Sequence, residues 1–503
     1  MLQQIGLLSI IVPLLMGFFS FISQKLYAFG DKRGVSDAIE IIINTIYLLL
    51  FAMLFAFILK STFSLNLIKG AEYKYVIGGW SKSMGIEMKY NVSTALALMS
   101  VTLIACIFFA TNLFNCISYA FRGFVCIMIC GANGIIMTND IFNSYVFFEI
   151  VCITSYIIYA HGKGTECVKN TFNYMIISSF AGVAFLLVAG MLYQITGNLN
   201  LDLMHDVIVK YQNNKSINAL FVIFLLSMLF KLGIYPLHSI LNNIYNNLET
   251  NKLMVVAGIS SIAYPVFIVK IILHLFGIDV LLNNEYLHIV LKIFGGTGFL
   301  FFNVMAFSTT SVKNFIIALS FAQTSLFAFC IPYLNDTAIQ VGLLFAITSH
   351  AVLKVCLFAI LDKVQTAFAS ENIVKTNFRH IKEQSYRAIY AILLFLIAGM
   401  PLSLVFMSKW YILKGFIYVP NSIVWLTILL GGFSIDIVAC FKFIMQVLSV
   451  KKDDYIISVP IKRNLPLISV VTFVILFIVL SSAYSNVFNI KKVKPIMVLK
   501  ERS

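Results

Sequence analysis

Runs of about 20 apolar residues, each long enough to cross roughly 30 Å of hydrocarbon as a helix, recur from one end of this chain to the other. That repetition limits the fold more than any motif does. Inside lipid the backbone must satisfy its own hydrogen bonds, and a helix does so within one segment. Of the 503 residues, 60% are hydrophobic and only 11% charged, where soluble domains average about 45–50% and 25%. No soluble core could absorb that surplus, which excludes a soluble enzyme. The sequence predicts an all-α polytopic membrane protein.

About fourteen spans are expected, near 4–23, 36–60, 91–112, 114–137, 140–161, 168–195, 215–236, 252–276, 285–308, 312–334, 337–361, 386–410, 421–447 and 465–488. The longest polar connections, 61–90, 196–214, 362–385 and 448–464, leave no room for a soluble domain. The opening run, MLQQIGLLSIIVPLLMGFFSF, has no basic leader and no obvious small-residue cleavage site. It is expected to be an uncleaved first span rather than a signal peptide.

The net charge of +15 does not point to nucleic acid, because the basic residues sit in short loops between apolar runs. They read as topology determinants facing an anionic membrane surface. Lys25, Lys32 and Arg33 follow the first span; Lys375, Arg379, Lys382 and Arg387 follow the eleventh; Lys451, Lys452, Lys462 and Arg463 follow the thirteenth. All three groups fall on one side, which places the N-terminus outside. The basic tail NIKKVKPIMVLKERS breaks this pattern, since an even count leaves it outside as well. The nine cysteines are scattered; Cys126 and Cys130 lie a helical turn apart, without a metal or iron–sulfur spacing. They read as small buried hydrophobes.

Charged groups at mid-bilayer cost about 2.5–3.5 kcal/mol each on insertion scales, so they are rare and commonly mark ion paths. Glu149 sits in the middle of the fifth span and Lys231 in the seventh. His350 and Lys354, four apart in the eleventh, share a helix face, and Lys409 closes the twelfth. His238, Lys270, Gln323 and Asp436 are further candidates. Several have plainer readings. Lys270 and Lys409 lie toward span ends, where a lysine can snorkel to the headgroups. Asp436 could reach Lys442 only through water, His238 could be interfacial, and His350 could be a hydrogen-bonded core histidine. For Glu149 the plain reading is a structural ion pair.

Pro236 follows Lys231 by five residues and Pro401 precedes Lys409 by eight. Each proline removes a helix hydrogen bond and frees carbonyls that protein or water must satisfy. Interrupted helices beside buried charge, once in each half of a chain, are the pattern of inverted-repeat transporters.

The run GANGIIMTNDIFNSYVFFEIVCITSYIIYAHG, followed by FNYMIISSF and LYQITGNLNLDL, resembles the D-type component of the multisubunit Mrp cation/proton antiporters. Those components are similar to the antiporter-like membrane subunits of respiratory complex I and of membrane-bound hydrogenases. The likeness continues through FKLGIYPLHSIL, SVKNFIIALSFAQ, SHAVLKVCLFAIL and AGMPLSLVFMSKW, over roughly residues 75–415. It implies fourteen helices, with two five-helix units of opposite topology around discontinuous seventh and twelfth helices. The corresponding segments are 1–112 (N-terminal helices), 113–280 (first unit), 281–450 (second unit) and 451–503 (last helix and tail).

The resemblance further implies a proton relay in which Glu149 and Lys231 form the acid–base pair of the first unit. Lys354 with His350 would be the central relay, and Lys409 the terminal lysine of the second unit. It implies no cofactor of its own, a bacterial plasma-membrane location and other membrane subunits as partners; the carried ions would be protons and sodium. The chain departs from the family pattern at three places. The neighbourhood of an expected eighth-span lysine reads AGISSIAYP, with Ser260, Ser261 and Ile262 uncharged; Ile240 and Asn242 stand where tryptophan and proline are usual; and Asn91 replaces an aspartate.

Desolvation weakens a lysine's hold on its proton and a nearby carboxylate strengthens it. A swing of about three pKa units is worth about 4 kcal/mol, comparable to the work of a membrane potential. The expected relay has Lys231 alternating between these settings as Glu149 approaches or is neutralised. Sodium would want a cage of several oxygens, and no acidic cluster at helix spacing supplies one. Two other readings compete. One is a proton-pumping component of an NADH-quinone oxidoreductase or hydrogenase complex, with nearly the same motifs. The other is a non-transporting scaffold of the same fold. A haem protein would need paired histidines across helices, which are not evident.

Overall fold

The computed structural model describes residues 5–27, 33–64, 72–114, 117–162, 164–211, 214–370, 384–401, 403–419 and 422–448. The expected span at 465–488, the tail, and the basic residues of the loops after the eleventh and thirteenth spans, apart from Arg387, lie outside them. In chain order the elements are α1 (Ile5–Tyr27), α2 (Arg33–Ser64), β1 (Tyr73–Val76), β2 (Glu87–Tyr90), α3 (Val92–Thr111), α4 (Tyr119–Met137), α5 (Ile141–Ala160) and α6 (Thr165–Thr196). Then come α7 (Leu201–Ile208), α8 (Lys215–Lys231), α9 (Ser239–Asn247), α10 (Thr250–Ile271) and α11 (Ile278–Leu282). The remainder are α12 (Glu285–Ser308), α13 (Val312–Cys330), α14 (Thr337–Ser370), α15 (Gln384–Ala398), α16 (Leu404–Ile417) and α17 (Ser422–Leu448).

Among the described residues, 11 helices are long and apolar enough to cross a membrane. The chain is an all-α polytopic membrane protein. The seventh expected span, 215–236, holds α8 and a break after it, beyond which α9 begins; the twelfth, 386–410, is divided by a break between α15 and α16. The first break follows Lys231: Gly233 takes φ 65°, open to glycine but strained for other residues, and Pro236 has no N–H to continue a ladder. The second follows Ala398, where Gly399 takes φ 92° and Pro401 comes two residues later. Ser403 then restarts α16 by accepting from the Phe406 N–H at 3.1 Å.

The windows of α3, α13 and α14 are 89% buried, against 33% for α17 and 39% for α1, α2 and α6. A helix apolar on every side is stable only when surrounded by other helices or lipid. That ordering puts α14, with His350 and Lys354, at the centre of the bundle. Around it, α4 packs on α5, α5 on α6, α6 on α8, and α10 on α4. The same neighbour order recurs as α12 on α13, α13 on α14, α14 on α16, and α17 on α12.

Two of the polar connections hold more structure than their composition suggests. The 61–90 segment contains the β1–β2 hairpin, paired antiparallel from Tyr73–Tyr90 to Val76–Glu87. The 196–214 segment contains α7, capped by the Asn200 side chain. Lys74 and Lys89 of the hairpin both bond Asp202 on α7. Buried Glu87 accepts from Asn139 at 2.7 Å and Asn200 at 2.8 Å. This polar clasp ties together the connections that precede α3, α5 and α8. Burial by itself would raise the Asp202 pKa, but the hydrogen bonds from Lys89 and Lys74 bring it down to about 2.

Candidate functional site

Phe148, Cys152 and Tyr156 recur every four residues and so line one face of α5. The buried Lys231 ammonium, at the C-terminus of α8, lies against that face. It donates to Tyr156 Oη at 2.9 Å and Cys152 Sγ at 3.1 Å, and sits 5.0 Å from the Phe148 ring centroid. Its position is favourable because the last carbonyls of a helix carry partial negative charge. Tyr156 Oη lies 2.7 Å from Ser178 Oγ of α6, and Cys152 Sγ lies 3.5 Å from Tyr264 Oη of α10. Lys231 is thus held by a neutral polar set, not by a direct ion pair.

Glu149 lies one residue off that face, half-buried, with its carboxylate against Gly182 of α6. A Cβ at Gly182 would come within 2.3 Å of Glu149 Oε1, so only glycine leaves the carboxylate its place. Glu149 and Lys231 are electrostatic neighbours that do not touch, contrary to the plain ion-pair reading.

From Lys231 a cavity with about 30 Å³ open to water leads to Lys354 on α14. One water needs roughly 10–15 Å³ measured this way, so there is room for about two. Its polar lining comprises Tyr245 and Tyr264 together with Ser260, Ser261, Ser320 and Thr324. Lys354 is 8% exposed, and no described protein group accepts from its ammonium. A turn earlier on the same helix, His350 lines a second, smaller cavity with Gln323, Asn303, Lys409 and Asp436. Its space of about 10 Å³ is at the limit for one water. Among the described residues, Gln323 Nε2 is buried there without a protein partner.

Lys409 ends the row. Its ammonium donates to Asp436 Oδ2 at 2.6 Å and to the Ala398 carbonyl, freed at the end of α15, at 3.0 Å. It also lies 5.2 Å from the Phe433 ring centroid. Lys409 therefore does not snorkel, and Asp436 pairs with it rather than with Lys442 through water. Lys442 instead donates to the Phe307 and Thr309 carbonyls at 2.6 and 2.9 Å, closing the end of α12. Lys270 does not snorkel to the headgroups either. It donates to the Ile135 and Thr138 carbonyls at 2.6 and 2.7 Å, closing the end of α4. The two capping lysines occupy matching places in the two sets of helices. His238, at the start of α9, packs edge-on against Phe302 at 4.7 Å and lines neither cavity.

The row therefore contains Glu149, Lys231, Lys354, His350, Gln323, Lys409 and Asp436, and leaves out Lys270 and His238. Sequence reading missed Gly182, Tyr156 and the four serine and threonine hydroxyls. A signal was present for the α13 members, since Ser320, Gln323 and Thr324 stand at helical spacing on one face.

Residues 138–435, more than half of the chain, match the family described as NADH:quinone oxidoreductase/Mrp antiporter, transmembrane. The D-type component of the Na(+)/H(+) antiporter of Alkalihalophilus pseudofirmus is 25% identical over 244 residues, covering 47% of this chain and 46% of that one. The chain thus spans about half the length of that relative. The N-type component of the NADH-quinone oxidoreductase of Desulforudis audaxviator is 25% identical over 359 residues, 70% of each chain. Two solved structures share the fold. One is an archaeal membrane-bound sulfane sulfur reductase, with TM-score 0.78 and 18% identity over 97% of this chain and 96% of that one. The other is the Mrp complex from Dietzia sp. DQ12-45-1b, with TM-score 0.75 and 14% identity over 97% and 98%. With its broken helices and its family match across both of them, this chain is an antiporter-like membrane subunit and belongs to the NADH:quinone oxidoreductase/Mrp antiporter family.

Proposed function

We propose that this chain is the proton-translocating membrane subunit of a multisubunit monovalent-cation/proton antiporter, with sodium as the coupled cation, in a bacterial plasma membrane. Protons pass between Glu149, Lys231, Lys354 with His350, and Lys409, and other membrane subunits complete the transporter. The observation that carries this reading is the continuity of the row. Buried ionisable groups from both helix sets are joined by one cavity from Lys231 to Lys354 and a second from His350 to Lys409. Isolated structural charges need no such continuity.

Residues 113–280 and 281–450 act as two inverted units, each with a broken helix that brings a lysine to the row. Glu149 is the group whose charge biases Lys231, and Asp436 does the same for Lys409 at the far end. The neutral partners of Lys231 let it keep or lose its proton without stranding a bonded counter-ion. The test is proton transport by the intact complex reconstituted in vesicles. Glu149→Gln and Lys231→Ala are each expected to reduce it at least ten-fold with assembly unchanged. Parent-level transport by both variants would overturn the relay and leave the chain a scaffold.

The 70% alignment to a quinone-oxidoreductase component favours a second reading, a proton-pumping part of a redox complex. Co-purification from native membrane separates the two. Flavin and iron–sulfur subunits would support the redox complex, whereas small membrane subunits alone would support the antiporter.

A further inference from the structure

We propose that a third cavity, at the foot of the β1–β2 hairpin, binds a small organic carboxylate with one negative charge and an apolar body about the size of a benzene ring. The cavity lies between the starts of α3 and α14, the end of α4 and the turn that closes α10. Its open space is about 170 Å³, and an engineered apolar cavity of about 150 Å³ takes up benzene. It shares no residue with the row from Glu149 to Asp436, so its occupancy does not depend on the proton relay.

The lining is amphiphilic. Ser93 and His274 are exposed and mark the mouth, with Asn91 and Lys270 part-buried beside them. Ile136, Val266, Leu343 and Ile347 are buried and form an apolar floor. Among the described residues no carboxylate lines the space. Lys74 and Lys89 both bond Asp202, and Glu72 lies 3.8 Å from Lys74 and 4.0 Å from Lys89, so two cations meet two anions there. Lys270 is left over. Its ammonium donates to the Ile135, Ile136 and Thr138 carbonyls at 2.6, 3.3 and 2.7 Å, groups without net charge. The partial negative charge of those helix-end carbonyls is offset by the positive first turn of α3, which also faces the cavity. One unbalanced positive charge over an apolar floor fits one negative charge on an apolar body, and burying a charge unpaired is costly.

Asn91 sets the preference for an anion. It caps α3, its Oδ1 accepting from the Thr94 N–H at 3.0 Å, which leaves its amide N–H groups to donate to a ligand. Asparagine and aspartate cap helices about equally well, and the positive end of a helix favours the charged one. Capping therefore does not account for an amide at a position where the family resemblance led to the expectation of an aspartate. A carboxylate at 91 would stand in the same cavity as Lys270 and cancel its charge. With an amide there, the counter-charge has to come from outside the chain. The space is too small for a two-tailed lipid, and the mouth lies beside the hairpin, so the ligand enters from water.

The test uses the intact complex in micelles with benzoate as the probe, and follows binding by saturation transfer from protein to the ring protons. Benzoate is expected to bind at millimolar concentration, and benzamide, which has the same shape without the charge, at least ten-fold more weakly. Asn91→Asp keeps the α3 cap and is expected to weaken benzoate at least ten-fold, with co-purification and thermal stability unchanged. Val341→Phe, which fills the cavity from α14, is expected to abolish binding by bulk instead of charge. A density map of the complex with benzoate is expected to show it between Asn91 and Lys270. Absence of benzoate binding, equal binding of benzamide, or parent-level binding by both variants overturns the site. An acyl chain filling the cavity in a map of the complex as purified overturns a carboxylate taken from water.

Discussion

Gly182→Ala separates the relay from the fold, because the structure gives the two effects opposite signs. The added Cβ would lie 2.3 Å from Glu149 Oε1, whereas carbon and oxygen in contact sit about 3.3 Å apart. The carboxylate oxygen must therefore withdraw by about 1 Å. It is the free end of a flexible side chain, so it can rotate away with little strain on the packing. Helix α6 meanwhile gains about 0.8–1 kcal/mol from exchanging an interior glycine for alanine. The variant should be at least as stable as the parent. A displacement of that size in a positioned proton-transfer group is worth up to about a hundred-fold in rate, so transport is expected to fall ten- to a hundred-fold. Gly190, also in α6, provides the control. A Cβ there meets nothing within 4 Å, so Gly190→Ala shares the helix gain without touching Glu149. The assay pairs vesicle transport, followed with an internal pH dye, with thermal unfolding of the same preparations. Parent-level transport by Gly182→Ala would refute the placement of the carboxylate or its role.

Three further outcomes follow from the geometry. Asp436→Asn strips Lys409 of its buried partner, a loss of about 3–5 kcal/mol for such pairs; the retained Ala398 carbonyl and Phe433 ring reduce this to about 2 kcal/mol. Replacing both partners (Lys409→Met with Asp436→Leu) should be close to neutral in stability, and unfolding in mixed micelles checks both, with an undiminished Asp436→Asn protein refuting the pair. Lys270→Met orphans the carbonyls at the end of α4 and should destabilise by about 2–4 kcal/mol, while transport per assembled complex stays at the parent level; its loss would place Lys270 in the relay. Asp202 has a folded pKa of about 2, below the ordinary value of about 3.9, so its contribution is full above that ordinary value. The contribution is lost as pH falls through about 2. Limited proteolysis of the hairpin should show this acid limb in the parent and not in Asp202→Asn.

Where single residues depart from their sequence reading, the cause is shared. Depth in a span suggests snorkelling for Lys270 and Lys409, but their partners are decided by which helix end comes to rest beside them. For Asp436 the cation nearest in sequence is Lys442, whereas its partner lies 27 residues away on α16. The hairpin and α7 are hidden because short amphipathic elements between spans resemble any polar loop in composition.

Within the described residues, the sequence by itself determined the apolar helices, the two helix breaks and most of the ionisable groups, because these follow from local quantities. An apolar run must match the bilayer, a proline must break a ladder, and a charge in lipid must have a use. Which groups belong to one row was decided only by tertiary packing. Cavities, capped carbonyls and the Lys409–Asp436 pair arise where separate helices meet. Their spacing depends on side-chain volumes across the interface, which no single stretch of chain contains.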